Sequence, residues 1–147
     1  MRALVDSDVL IALIDGTEAQ SAASLSAMNG AIKGEFEAVV TPLIVANVMY
    51  ALKRKWRTSK PKTWKADIAF QITRMLGTLQ IIPVDDRDFL AAFGSRFKDH
   101  EDAVQHFAAV RSRQVDLILT CNVKDFEEFS ELPVMEPGEF AKKFLAT

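Results

Sequence analysis

The sequence holds a single cysteine, Cys121, among 147 residues. An intramolecular disulfide and a cysteine-rich zinc site are therefore excluded. Only two histidines are present, His100 and His106, with no cysteine close to them in the chain, so neither has the surroundings of a zinc ligand. His106 is expected to pack on a helix, and Cys121, beside an apolar stretch, to be an inert buried thiol. No apolar run is long enough to span a bilayer, and residues 1–10 lack the basic-then-apolar design of a signal peptide, so a cytoplasmic chain with no membrane partner is expected. The phosphate-binding pattern G-x-x-x-x-G-K-[ST], the dinucleotide pattern G-x-G-x-x-G and the nucleophile elbow G-x-S-x-G are all missing. P-loop, dinucleotide-binding and serine-hydrolase chemistry lose their support.

What is present is apolar and nearly neutral: 49% hydrophobic residues and a formal charge of −2. That balance excludes a disordered chain, and the length suits one domain over residues 1–147. The small net charge conceals a segregation. From Lys53 to Lys65 the sequence KRKWRTSKPKTWK carries seven basic residues and no acidic one, leaving 11 basic against 20 acidic elsewhere. Both tryptophans, Trp56 and Trp64, lie inside this stretch. A basic segment with interleaved aromatics suits a nucleic-acid phosphate track, with Lys53, Arg54, Lys55 and Arg57 as phosphate contacts and Trp56 as a stacking position. It equally suits a solvated helix end whose tryptophans pack on the body of the protein.

Short β-branched stretches at residues 3–5, 37–41, 80–84 and 116–120, with a weaker one at 133–135, predict strands. Helical patterns separate them at 17–32, 42–55, 64–79, 86–93, 101–113 and 137–144. Thr17 is a candidate N-cap, and Thr41-Pro42 joins a cap to a proline at the first helical position. This alternation predicts a three-layer α/β/α sandwich with a central, mostly parallel sheet of about five strands. In such sheets the active crevice lies beyond the carboxyl ends of the strands.

The residues at those ends are acidic. LVDSDVLIALID supplies Asp6, Asp8 and Asp15; KDHEDAVQHFAAV supplies Asp99, Glu101 and Asp102; LILTCNVKDF supplies Thr120, Asn122 and Asp125. Asn47 interrupts an otherwise apolar helix and needs polar partners in the core or a cleft. Carboxylates gathered on one edge repel one another, and a hard divalent cation, Mg²⁺ or Mn²⁺, relieves the repulsion. Simpler roles stay open for several of them. Asp99 with Asp102 fits a helix cap followed by a first-turn acid, and Asp8 fits a cap for a helix starting at Val9. Asn122 and Asp125 also suit turns. Asp6 is harder to dismiss, because it ends a buried strand directly. The chemistry left to such a set is metal-assisted attack of water on a phosphate ester.

Four blocks, LVDSDVLIALID, VVTPLIVANVMYALKRK, DHEDAVQHFAA and DLILTCNVKDF, resemble the PIN-domain ribonucleases, including the VapC-type toxins of toxin–antitoxin pairs. The resemblance implies a metal-dependent endoribonuclease with Asp6, Asp102 and Asp125 as catalytic residues. It implies a metal site of Asp6, Asp102, Glu101, Asp125 and Asn122, supported by Asp8, Asn47, Asp99 and Thr120. An RNA substrate, a small antitoxin partner and a homodimer are implied as well. Two positions that the family usually fills with acids hold Asn47 and Asn122, each replacing a charge by a neutral oxygen. A catalytically weak or inactive RNA- or protein-binding module is therefore the alternative reading. A haloacid-dehalogenase-type phosphatase, suggested by LVDSDV, is a third; its later lysine and distal acidic pair fail to appear in order, since Asp85-Asp86 precedes Thr120.

Overall fold

A computed structural model describes residues 1–146. Its elements, in chain order, are β1 (Arg2–Val5), α1 (Ser7–Asp15), α2 (Ser21–Ile32), β2 (Glu37–Val40), α3 (Pro42–Ser59), α4 (Trp64–Leu76), β3 (Leu79–Ile81), α5 (Asp86–Phe93), α6 (His100–Ser112), β4 (Leu117–Leu119), α7 (Val123–Phe126), β5 (Val134–Met135) and α8 (Pro137–Phe144). The five strands form one sheet in the order β3-β2-β1-β4-β5, and every neighbouring pair is parallel. The α/β class with a central parallel sheet is borne out. Strands β1, β2 and β4 are buried almost throughout, with Leu4, Val5, Val39, Val40, Ile118 and Leu119 at 0–1% exposure. Burial on both faces explains why these strands are continuous apolar runs rather than alternating ones.

The strand order determines where a site can form. The chain moves outward from β1 to β2 to β3, then returns to the other side of β1 for β4. Connections leaving β1 and β4 therefore diverge, and a crevice opens beyond their carboxyl ends. Asp6 and Thr120 are the first residues after those two strands.

Several boundaries differ from the expectations, each for a local reason. Thr17 does not cap the second helix, which starts at Ser21; its hydroxyl instead donates to the carboxylate of Asp15. Asp8 is not the cap of the first helix. Asp6 is, accepting the Ser7 N–H at 2.7 Å. Helix α3 runs through the basic stretch to Ser59, because Leu52 and Trp56 continue its buried stripe. Trp56 is only 6% exposed and belongs to the core, so its ring is no free stacking platform; Lys53, Arg54, Lys55 and Arg57 on the same turns are exposed. Helix α4 stops at Gly77, which frees Leu79 to enter β3. Strand β3 ends at Ile81; Ile82 still donates to the Val40 carbonyl (2.8 Å), and Pro83 has no N–H with which to continue. The short helix α7 had no periodic signal to announce it.

The packing that holds α6 in place positions part of the site. Thr41 caps α3 by accepting the Ile44 N–H (3.2 Å) and also hydrogen-bonds Gln105 of α6. His106 is buried on α6 as expected, and its Nε2 accepts the Glu131 N–H at 2.9 Å. Phe97 packs against His106, Phe126 and Phe129 at centroid distances of 5.0, 6.2 and 5.9 Å. At the far end of α6, Arg111 grips the buried Asp88 of α5 through two bonds of 2.8 and 2.9 Å. No helix among the described residues is long and apolar enough to cross a membrane.

Ile118 lies fully buried on a central strand two residues before Thr120. Truncation there leaves a void on the one sheet face that its side chain fills. Ile118→Val is expected to lower stability by about 0.5–1.5 kcal/mol and Ile118→Ala by about 2–5 kcal/mol, measured by urea unfolding.

Candidate active site

The crevice is built from three turns. The first leaves β1, where the Asp6 N–H donates to the Leu119 carbonyl (2.9 Å) and so ties the two strand ends together. Asp6 keeps an extended backbone (φ −69°, ψ 156°), which is what an N-cap requires. Asp8 follows in the first turn of α1 and faces the same opening.

The second turn leaves β4. The Thr120 hydroxyl lies 2.9 Å from Asp6 Oδ2 and 3.2 Å from Asp8 Oδ2. It has one proton to donate and two carboxylates within reach. The Cys121 N–H donates to both Asp8 oxygens (3.2 and 3.1 Å), and the Asn122 side-chain amide donates to Asp8 Oδ2 at 2.9 Å. The Asn122 N–H in turn donates to the Thr120 hydroxyl oxygen (3.1 Å). Three consecutive residues thus hold Asp8, and one of them also holds Asp6. Asp125 stands exposed in α7.

The third turn opens α6. Asp99 is its N-cap and accepts the Asp102 N–H at 3.0 Å, as its cap reading anticipated. Asp102 is half-buried and its carboxylate has no hydrogen-bond partner among the described residues.

The electrostatics record how crowded these groups are. Burial and then the neighbouring charges of Asp6, Asp99, Asp125 and Asp8 push the Asp102 carboxyl up to about 8. Burial and then Asp8 push Asp6 up to about 7, although the bonds from Thr120 and Ser7 pull the other way. Asp8 is raised by burial, against the donors Cys121, Thr120 and Asn122. The Cys121 thiol is driven up to about 12 by burial and by Asp8, consistent with an inert sulfur. A pocket that holds protons this strongly has the potential to attract a cation and to repel an anion.

Of the residues singled out in the sequence, Asp6, Asp8, Asp99, Asp102, Thr120, Asn122 and Asp125 converge here. Glu101 and Asn47 line a neighbouring cavity of about 210 Å³ between α3, α5 and α6. Among the described residues, no three His, Cys, Asp or Glu side chains stand close enough together to hold a metal ion. The donor set nevertheless fits a hard divalent cation in kind, because every side-chain ligand available is an oxygen. Lys55 pairs with Asp15 at 2.5 Å, so one of the expected phosphate contacts is engaged within the chain. The backbone donors at Ser7 and Cys121 escaped the sequence reading, since an N–H carries no residue-type signature. Gln105, which anchors α6 to Thr41, was detectable as a polar residue inside an apolar helix.

The chain belongs to the PIN domain family, whose pattern it matches over residues 2–124. This is the family that the four sequence blocks resemble. The match replaces the phosphatase reading, and Asp85 is otherwise committed, capping α5 and pairing with Arg87. No curated protein matches the sequence. Among solved structures, a Pyrobaculum aerophilum protein superposes with a TM-score of 0.70 at 15% identity, covering 100% of this chain and 91% of that one. VapBC2 of Rickettsia felis, bound to a DNA fragment from its promoter, gives 0.65 at 14%, with 92% and 98% covered. VapC20 of Mycobacterium tuberculosis, a Sarcin-Ricin loop cleaving toxin, gives 0.60 at 16%, with 79% and 86% covered. At these identities the likeness is one of fold.

Raised carboxyl groups make stability depend on pH in a definite direction. Between about pH 4 and pH 8 the unfolded chain has released protons that folded Asp6 and Asp102 retain, so stability falls as pH rises through this window. In chelator-treated protein the melting temperature is expected to drop from pH 5 to pH 8, by roughly 2–4 °C for each kcal/mol lost. Asp102→Asn is expected to flatten the drop, and Mg²⁺ or Mn²⁺ to raise the melting temperature more at pH 8 than at pH 5. Calorimetric melting across the series checks all three.

Proposed function

We propose that this protein is a divalent-metal-dependent endoribonuclease that serves as the toxin of a toxin–antitoxin pair. The observation that carries the reading is the convergence of Asp6, Asp8, Asp99, Asp102 and Asp125 at the carboxyl edge of a PIN fold, with Asp6 and Asp102 pushed to about 7 and 8. Asp6 and Asp102 are its principal ligands for Mg²⁺ or Mn²⁺, with Asp8, Asp125 and the Asn122 carbonyl oxygen adding to the set. A divalent cation bound there supplies activation of water and neutralisation of charge on the departing oxygen.

The chain's own groups do the rest. Thr120 orients Asp6 and Asp8 with one hydroxyl, and the Cys121 N–H and Asn122 amide of the same turn also hold Asp8. Asp99 fixes the first turn of α6 and with it the position of Asp102. Exposed Lys53, Arg54 and Arg57 on α3 offer contacts for the RNA backbone. A small antitoxin encoded beside the gene occludes the acidic crevice, and the toxin acts as a homodimer in the cytoplasm. Support for the pairing comes from the VapBC2 neighbour, and support for a toxin that cleaves RNA from the VapC20 neighbour.

One observation favours a second reading, a binding module with little catalysis. Asn122 points its amide donor at Asp8, where a charged ligand would turn an oxygen toward a cation. The two readings separate on purified protein. The enzyme reading expects Mn²⁺-dependent cleavage of single-stranded RNA that falls by about 10²-fold or more in Asp6→Asn and in Asp102→Asn. It also expects saturable Mn²⁺ binding by calorimetry that both variants lose. Undiminished cleavage in Asp6→Asn discards the assignment, and binding of RNA with no cleavage under any metal favours the module. Asn122→Asp, which adds a carboxylate and removes the donor to Asp8, is expected to bind Mn²⁺ more tightly than the parent.

A further inference from the structure

The cavity between α3, α5 and α6 is separate from the acidic crevice, yet the two share a helix turn. Successive residues of a helix project about 100° apart. In the first turn of α6, Asp102 senses the carboxylates of the crevice, whereas His100 and Glu101 line the cavity. Leu43 and Asn47, from the first two turns of α3, close the cavity on the side of the sheet's carboxyl edge.

The lining has a definite chemistry. Phe93 meets His100 edge to face, with centroids 5.1 Å apart, and Phe93 and Phe89 are 60% and 39% exposed. Against these aromatic walls stand two polar groups. Asn47 is half-buried with no side-chain hydrogen bond among the described residues, and Glu101 makes no ion pair among them. A carboxylate excludes phosphate as the occupant. An apolar side chain from another protein would leave half-buried Asn47 without a partner, which is unfavourable, and would cover exposed Glu101 with no donor for it. A neutral, flat group that donates hydrogen bonds satisfies every wall at once, and unpaired RNA bases are recognised in this way, by stacking and by their Watson–Crick edges.

The acceptor geometry selects one base. A carboxylate accepts two parallel N–H bonds and donates none. Guanine alone among the four RNA bases presents two adjacent donors, N1–H and the N2 amine, on its Watson–Crick edge. The Asn47 amide can then donate to an oxygen or nitrogen acceptor on the same base. We propose that this cavity is a subsite for one unpaired guanine of the RNA substrate, read by Glu101 and Asn47 and stacked against Phe93 and His100. The inference rests on the ribonuclease reading for its ligand class, and it gives that reading a sequence preference.

The test is binding in the presence of chelator, where no cleavage occurs. Fluorescein-labelled oligoadenylate is compared by anisotropy with the same oligomer carrying a single guanosine, and with one carrying inosine, which lacks the N2 amine. The guanosine oligomer is expected to bind roughly tenfold more tightly than the all-adenosine one, with inosine in between. The ratio is expected to collapse toward one in Glu101→Gln, and Phe93→Ala to weaken both oligomers. Equal affinities in the parent protein, a preference that survives Glu101→Gln, or RNA binding indifferent to Phe93→Ala would each overturn the subsite; the last would leave the face to a protein partner. A parallel cleavage assay with Mn²⁺ keeps the two ideas apart. Cleavage without base preference removes the subsite alone, whereas base preference without cleavage under any metal removes the nuclease reading alone. Binding to no RNA at all overturns both.

Discussion

Repulsion among carboxylates on one edge of a buried parallel sheet is the constraint around which the rest of the structure is arranged. Asp6 is placed by the end of β1, Asp8 by the first turn of α1 and Asp102 by the first turn of α6, and each position follows from strand and helix geometry rather than from mutual attraction. Left alone, such groups hold their protons more tightly than a free carboxyl does, the direction in which burial and neighbouring charge push Asp6 and Asp102. The turn after β4 supplies the opposing force. Its hydroxyl, backbone amide and side-chain amide all aim donors at Asp6 and Asp8, so strand pairing between β1 and β4 and the charge balance of the crevice depend on one another.

The two asparagines can be placed within that balance. Asn122 is a donor toward Asp8 and lessens the crowding that an aspartate there would increase. Asn47 lines the adjoining cavity beside Glu101. An amide rather than an acid at Asn122 keeps the negative potential of the crevice lower and places a hydrogen-bond donor inside it. A site so composed has less hold on a cation and more capacity to read a polar ligand.

Much of the architecture was legible in the sequence, because buried parallel strands are continuous apolar runs and residues such as Thr41-Pro42 announce a helix start. The acidic edge was legible too, since topology alone sends the residue after each strand to one side. Other features depend on tertiary context. Trp56 stands among basic residues in the sequence, yet helical spacing from Val48 and Leu52 places it in the core. Asp6 and Asp8 are equally good caps by residue type, and the hydrogen bond from Asp6 N–H to Leu119 decides between them by fixing where β1 ends. Glu101 and Asp102 are neighbours in sequence and go to different pockets, because one helical step turns the side chain through more than a quarter circle. The grip of Ser7 and Cys121 on the carboxylates is a backbone property with no letter to mark it.

The pairing of Arg111 with Asp88 gives the antiparallel α5–α6 hairpin unequal ends. At one end a bidentate clasp, reinforced by the Pro83 carbonyl at 3.1 Å, locks the two helices together. At the other, the six-residue turn from Gly94 to Asp99 joins the helices covalently, Phe97 of that turn is buried, and Phe93 meets His100 edge to face. The hairpin is therefore closed at both ends, by the Arg111–Asp88 clasp far from the crevice and by the chain itself beside it. Phe93 and His100, which line the cavity, thus stand at the two ends of one short turn, so a change in that turn reaches the cavity wall and the first turn of α6 together.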